Sequence, residues 1–161
     1  MKYLFSLIAL TLLMSCDENK MESSIHRVSL IHKMDTVKVT IEANDTMQYN
    51  IDEIVVLKNQ LIQLTLKHTG KMPLSQMGHN WVLLKAGVDV YDFGMKAMKA
   101  SETNYIPEAD KEKVIANTKT IGGGEQDVIE FEAPKAGTYV YCCTFPNHFV
   151  LMQGKLIVME K

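Results

Sequence analysis

Apolar and polar residues alternate along much of the chain between residues 37 and 158. Val37, Val39 and Ile41 alternate with polar neighbours, and the same period of two recurs further along, at Ile62, Leu64, Leu66, Ile129, Phe131, Leu156 and Val158. Successive side chains of a strand point to opposite faces, so this period is typical of half-buried strands. Apolar runs at residues 54–57 and 81–84 add further strands. The pattern predicts an all-β, antiparallel sandwich or barrel of about seven or eight strands.

Two features interrupt the strand pattern. Residues 92–100 carry Met95 and Met98 three positions apart among Lys and Ala, which predicts one short helix in a flap. The three glycines at 122–124 are not followed by Lys-Ser or Lys-Thr, so they do not form a phosphate-binding loop. We interpret them as a hairpin turn.

The N-terminus has the pattern of an export signal. Lys2 precedes an apolar run at residues 4–14, which is too short to span a bilayer as a stable helix, and Ser15 and Cys16 follow it. This arrangement resembles a bacterial lipoprotein signal, with residues 1–15 removed and Cys16 lipidated. An ordinary cleaved signal or an internal cysteine is the alternative interpretation. Residues 16–35 are polar and lack an apolar period, so we expect a flexible tether before a single domain at 36–161.

Composition narrows the function classes. The 17 basic residues nearly balance the 19 acidic ones, so there is no basic footprint for nucleic acid. The three cysteines are Cys16, Cys142 and Cys143.

A candidate metal site lies near the C-terminus, where Cys143, His148 and Met152 follow one another within ten residues. Thiolate, imidazole and thioether together suit copper, and a blue-copper site needs two His, one Cys and a long, weak axial Met. His79, which follows Gly78 and precedes an apolar run, supplies the distant second imidazole. Because strand side chains alternate, only one of Cys142 and Cys143 can face the metal.

These residues resemble the azurins, blue-copper electron carriers of the cupredoxin family. The spacing from Cys143 to His148 to Met152 is the azurin spacing, and it favours Cys143 as the ligand. The resemblance covers about residues 37–158 and includes the segments 41–50, 68–81 and 114–122. It implies a Greek-key cupredoxin sandwich that binds one type 1 copper ion through His79, Cys143, His148 and an axial Met152.

The resemblance also implies roles for residues around the ligands. The backbone carbonyl of Gly78 is expected as a weak further contact to copper. Asn80 is expected to join the two ligand loops, and the amide of Phe145 to donate to the thiolate. Trp81 is expected to pack in the core. His68 matches a partly buried histidine whose protonation is coupled to the reduction potential in azurins, although Thr69 replaces the proline that follows it there.

An apolar surface around His148, called the docking patch below, matches the face through which azurins meet their redox partners. Its residues are Met47, Met72, Met77, Phe145, Asn147 and Leu151. Asn147 stands where azurins usually have glycine, and asparagine tolerates a left-handed backbone better than most residues.

The sequence therefore predicts an exported single-electron carrier rather than an enzyme. Its expected partners are c-type cytochromes or copper and haem reductases, with a lipid anchor at the periplasmic face of a bacterial membrane. Copper storage or delivery is the alternative, with an entry path through Met72, Met77, Met95 and Met98. A copper enzyme such as a nitrite reductase would need a second catalytic metal, for which the chain has no spare histidine cluster.

Overall fold

A computed structural model describes residues 36–160. The predicted signal at 1–15, the predicted lipidation site Cys16 and the predicted tether at 16–35 lie outside these residues. Within the described range, no helix is both long enough and apolar enough to cross a membrane.

Residues 36–160 form eight strands in two sheets. The strands are β1 (Thr36–Ala43), β2 (Glu53–Leu57), β3 (Leu61–His68), β4 (Val82–Leu84), β5 (Val114–Asn117), β6 (Gln126–Glu132), β7 (Gly137–Cys142) and β8 (Gln153–Met159). The helices are α1 (Leu74–Met77), α2 (Val90–Ala97) and three 3-10 helices (Ser101–Thr103, Glu108–Lys113 and His148–Val150). One sheet has the strand order β1-β3-β6 and the other the order β2-β8-β7-β4-β5.

The sheets are mixed, so the predicted antiparallel pairing is wrong for part of the sandwich. Strand β1 pairs with β3, and β2 with β8, in the parallel direction. The other four pairings are antiparallel. The chain changes sheet after β1 and again after β2, so β1 and β3 run the same way. The period-two alternation of side chains is the same in both kinds of pairing and could not distinguish them.

The main core lies between the sheets and is built from the predicted alternation. Ile41, Ile62, Leu64, Leu66 and Leu156 are all buried in one cluster. Trp81, fully buried, packs in the same cluster against Phe131 and Tyr141, with ring centroids 5.6 and 5.4 Å away. Its indole N–H has no hydrogen-bond partner, as expected of a dry apolar pocket.

A second, smaller core lies beneath the flap helix α2. The helix occupies Val90–Ala97, slightly earlier than predicted, because Asp89 caps it by accepting a hydrogen bond from the amide of Asp92 at 2.9 Å. Phe93 packs in a cluster with Cys142 and Phe149. This cluster fastens the flap to the C-terminal loop that carries the candidate ligands.

The glycine segment is a turn, but it does not form the predicted hairpin. The amide of Glu125 donates to the carbonyl of Gly122, and Gly124 has a positive φ of 81°. The flanking strands β5 and β6 belong to different sheets, so the segment carries the chain across the sandwich. Turn chemistry was evident from the glycines, whereas the sheet of the next strand depends on long-range pairing.

Candidate metal centre

The candidate ligands lie where strands end. Cys143 directly follows β7, and Met152 directly precedes β8. The amide of Cys143 donates to the carbonyl of Met152 at 3.0 Å, which extends the β7–β8 pairing to both residues. His79 stands before β4, where its backbone forms an antiparallel bridge with Ile121. Rigid strands thus deliver these side chains to one end of the sandwich.

Within residues 36–160, His79, Cys143 and His148 form one compact group of potential metal ligands, and all three are buried. The Cys143 Sγ lies 3.8 Å from Nδ1 of His79 and 3.6 Å from Nδ1 of His148. The two Nδ1 atoms are 3.2 Å apart. Met152 is buried beside them, with 1% of its surface exposed.

Both imidazoles are held as neutral bases. Nε2 of His79 lies 2.9 Å from the carbonyl of Asn44, so it carries the proton and donates it, which leaves the Nδ1 lone pair free. Burial lowers the pKa of His79 to about 4, and burial lowers the pKa of His148 to about 4 as well. Both rings therefore present lone pairs to a metal at neutral pH.

The two cysteines face opposite sides of β7. Cys143 lies in the main core with Tyr141, whereas Cys142 lies in the second core under α2. Burial raises the pKa of the Cys143 thiol to about 12, while the amides of Asn80 and Phe145 and the hydroxyl of Tyr49 act in the opposite direction. Burial raises the pKa of the Cys142 thiol as well, and the neighbouring Cys143 raises it further. Only Cys143 meets both histidines and polar groups that stabilise a thiolate.

Asn80 connects the loop of His79 to the loop of Cys143. Its Nδ2 donates to Thr144 Oγ1 at 2.8 Å, and its Oδ1 accepts from the Thr144 amide at 2.8 Å. The same Nδ2 donates to the carbonyl of Asn104 at 3.1 Å. Asn80 and Thr144 are both fully buried. Each is the neighbour of a candidate ligand, so these bonds fix the separation of His79 and Cys143.

The loop between Cys143 and Met152 is closed on itself. The His148 amide donates to the carbonyl of Phe145 at 3.0 Å, and the Met152 amide donates to the carbonyl of His148 at 2.8 Å. Asn147 adopts the left-handed conformation, with φ 68°. The Phe145 ring covers Gly78 so closely that a Cβ on Gly78 would lie 2.7 Å from it. Only glycine fits there. The contact of the Gly78 carbonyl with a metal stays a prediction.

Of the predicted docking patch, Phe145 packs against His148, with ring centroids 4.8 Å apart, and the grouping of the other patch residues around His148 stays a prediction. Leu151 is 67% exposed, Asn147 is exposed, and Met47, Met72 and Met77 are half-buried. Phe145 is buried. His148 is only 3% exposed, and within residues 36–160 no group hydrogen bonds to its Nε2. The His148 side chain is therefore almost completely shielded from solvent.

His68 is completely buried, whereas the sequence predicted a partly buried residue. Its Nδ1 accepts from the amide of Gly70 at 3.0 Å, and its Nε2 lies 2.9 Å from the carbonyl of Met77. Its ring centroid is 4.5 Å from that of His79. The burial follows from its place at the end of β3, on the inward side of the alternation. Coupling of its protonation to a reduction potential stays a prediction.

Besides Thr144, four residues at the site were not singled out from the sequence. Asn44 and Asn104 act through backbone carbonyls, which no sequence pattern reveals. The Tyr49 hydroxyl donates to the carbonyl of Asn80 at 2.5 Å. Phe149 follows His148 into the second core, where a Cβ on Gly94 would clash with its ring. The adjacency of Phe149 to a ligand was visible, but its anchoring under α2 depends on the fold.

The donor set fits one copper ion of type 1. Two neutral imidazoles and a thiol converge in a buried pocket with a thioether nearby, which is the combination that copper prefers. Hydrogen bonds outside the ligands fix His79 and the loop that carries His148, as expected of a preformed site.

Comparisons with known proteins agree with this chemistry. Residues 35–159 match the family described as copper binding proteins, plastocyanin/azurin family. Azurin of Achromobacter denitrificans is 43% identical over 123 residues, which cover 74% of this chain and 82% of that protein. Outer membrane protein H.8 of Neisseria gonorrhoeae is 40% identical over 124 residues, covering 75% of this chain and 67% of that protein.

A solved structure supports the same assignment. Auracyanin A, a blue copper protein of Chloroflexus aurantiacus, matches with a TM-score of 0.70 and 33% identity, covering 77% of this chain and 99% of the other. The predicted cupredoxin β-sandwich with a short helix is confirmed. With its sequence match spanning most of the chain and its two histidines, cysteine and methionine gathered at one end of the sandwich, this chain belongs to the plastocyanin/azurin family of copper-binding proteins.

Proposed function

We propose that the protein carries single electrons between redox proteins, using a type 1 copper site formed by His79, Cys143, His148 and Met152. Copper, when bound, supplies the Cu(II)/Cu(I) couple. The observation that carries the proposal is the buried convergence of His79, Cys143 and His148 at one compact site. An enzyme would need a position open to substrate, whereas these ligands are enclosed.

Different residues of the chain have different roles at such a site. Cys143 supplies the thiolate, and the amides of Asn80 and Phe145 stabilise its charge. The Asn80–Thr144 hydrogen bonds hold the ligand loops in one geometry, so little rearrangement accompanies the loss or gain of an electron. The core excludes water from the ligands.

We propose His148 as the point of electron entry and exit, with the docking patch as the contact surface for the partner. The His148 ring packs against Phe145 of the patch, with centroids 4.8 Å apart, and exposed Leu151 follows His148 three residues later in the chain. Contiguous apolar surface of this kind typically marks an interaction site. The partners we propose are c-type cytochromes or copper and haem reductases.

The variant Leu151→Lys tests this route. Docking would bury an unpaired ammonium at a cost of several kcal/mol. We expect electron self-exchange, and electron transfer with a c-type cytochrome, to slow more than about tenfold, since 1.4 kcal/mol corresponds to a factor of ten. The blue absorption band should stay nearly unchanged, because Leu151 is not a ligand.

Met159→Lys is a matched control. Met159 is 48% exposed and stands at the far end of β8, roughly 23 Å along the strand from Met152. It should exchange electrons at the wild-type rate. Wild-type rates in Leu151→Lys across a range of salt concentrations would show that the docking patch is not the contact surface.

We further propose that a lipid on Cys16 holds the domain at the periplasmic face of a bacterial membrane. The short apolar segment before Cys16 supports this, as does the similarity to a relative named outer membrane protein H.8. Native protein should partition with membranes and carry a lipid mass on an N-terminal cysteine, whereas Cys16→Ala should lose both. A native chain with an unmodified N-terminus would contradict the anchor.

A further inference from the structure

Tyr49 is a polar side chain at the candidate metal centre with no role among the predicted ligands. It follows β1 and returns to it through an antiparallel bridge with Ala43. Its ring packs edge-on against Tyr141, with centroids 5.9 Å apart. Tyr49 is also packed against the buried cluster that contains Cys143.

The hydroxyl of Tyr49 reaches the residue that joins the ligand loops. It donates to the backbone carbonyl of Asn80 at 2.5 Å. The Asn80 side chain is already committed to Thr144 and Asn104. With the phenol on its carbonyl, Asn80 is held through both its side chain and its backbone. This arrangement fixes the Asn80 amide, which acts to lower the pKa of the Cys143 thiol.

Hydrogen bonding from the same hydroxyl also acts to lower the pKa of the Cys143 thiol, and it raises the pKa of Tyr49. A phenol has one proton to donate, so the carbonyl of Asn80 and a thiolate at Cys143 share one donor. The sulfur becomes a stronger acceptor as its negative charge increases, which happens when the site gains an electron.

We propose that Tyr49 is a positioning residue that raises the reduction potential, by holding Asn80 and by offering its hydroxyl proton to the Cys143 thiolate. This inference rests on the proposed electron-carrier function. Donors close to the sulfur stabilise the more negative, reduced state more than the oxidised state. Removing the hydroxyl should therefore favour the oxidised state.

The variant Tyr49→Phe removes the hydroxyl and keeps the ring. In copper-loaded protein at a fixed solution potential, we expect the ratio of Cu(II) to Cu(I) to increase roughly fivefold, the size expected for one net hydrogen bond. The protein should remain blue, and the copper–sulfur stretching frequency in its resonance Raman spectrum should shift.

Tyr141→Phe and Tyr139→Phe are matched controls. Their hydroxyls donate to the carbonyls of Ile51 and Lys135, each at 2.7 Å, and neither carbonyl belongs to a residue of the site. Both variants should lose about as much stability as Tyr49→Phe. They should keep the wild-type ratio of Cu(II) to Cu(I) and the wild-type copper–sulfur stretching frequency.

Two results would overturn the inference. One is an unchanged ratio in a blue Tyr49→Phe protein. The other is an equal change in Tyr141→Phe, which would assign the effect to core packing. A wild-type protein that is not blue would instead contradict the proposed function, so the two failures can be distinguished.

Discussion

Replacing Asn80 with alanine should remove the side-chain hydrogen bonds that join the two ligand loops, while every candidate ligand stays in place. The Asn80 side chain makes three hydrogen bonds, two with Thr144 and one with the carbonyl of Asn104. Asn80 and Thr144 are both fully buried, so water cannot replace the lost partners. The change therefore tests whether the bridge between the loops stabilises the fold before any metal binds.

The magnitude follows from the groups left without partners. The buried amide of Thr144 loses its acceptor, which costs about 1–3 kcal/mol, and the Thr144 hydroxyl and Asn104 carbonyl lose a donor. With the small cavity included, we expect the free energy of unfolding of the apoprotein to decrease by about 4 kcal/mol. For a domain of this size, the melting temperature should decrease by about 10–15 °C.

Urea unfolding of the metal-free protein, followed by tryptophan fluorescence, measures this change because Trp81 is the single tryptophan and lies in the core. Asn117→Ala is the control: it removes one local bond to the carbonyl of Thr118 at 3.1 Å from a half-buried side chain. It should cost less than about 1 kcal/mol. Equal losses in the two variants would refute the reasoning that the bridge is a principal constraint on the loops.

Two further predictions concern the ligands themselves. Cys143→Ser should abolish the blue band, whereas Cys142→Ser should keep it, because Cys142 lies in the second core. The visible spectra of the copper-loaded variants measure this. The reverse outcome would show that the ligand has been assigned wrongly. The free energy of unfolding of the apoprotein should decrease as the pH falls from 6.5 to about 4. In the unfolded chain the histidines take up protons near their usual pKa of 6.5, whereas in the folded protein burial lowers the pKa of His79 and of His148 to about 4. Urea midpoints at pH 7 and pH 5 measure this, and equal midpoints would contradict the predicted burial effect.

Much of the fold follows from side-chain alternation. Val37 to Ile41 and Ile62 to Leu66 lie in strands with the predicted inward faces, because burial of one face is a local property of the period. Pairing direction is not local. The parallel β1–β3 pair and the sheet change across Gly122–Glu125 depend on partners distant in sequence, so the sequence pattern could not reveal them.

The candidate ligands could be predicted from the chemistry of their side chains and from their spacing in the sequence. Cys143, His148 and Met152 fall in one short loop, and the position of His79 after Gly78 and before an apolar run pointed to it as their distant partner. The carbonyls of Asn44 and Asn104 were not predictable, because every residue has a carbonyl and only the fold selects one. Tyr49 was overlooked for a related reason. In the sequence it is one aromatic residue among many, and only the fold brings its hydroxyl to the carbonyl of Asn80.

The most direct test of the electron-carrier function is stoichiometric copper loading followed by visible and electron-paramagnetic spectroscopy and stopped-flow reaction with a c-type cytochrome. We expect one copper per chain, an intense blue band that disappears on one-electron reduction and returns on oxidation, and rapid electron exchange with the cytochrome. A colourless copper complex, or a blue protein that binds copper tightly but exchanges no electrons, would contradict that function.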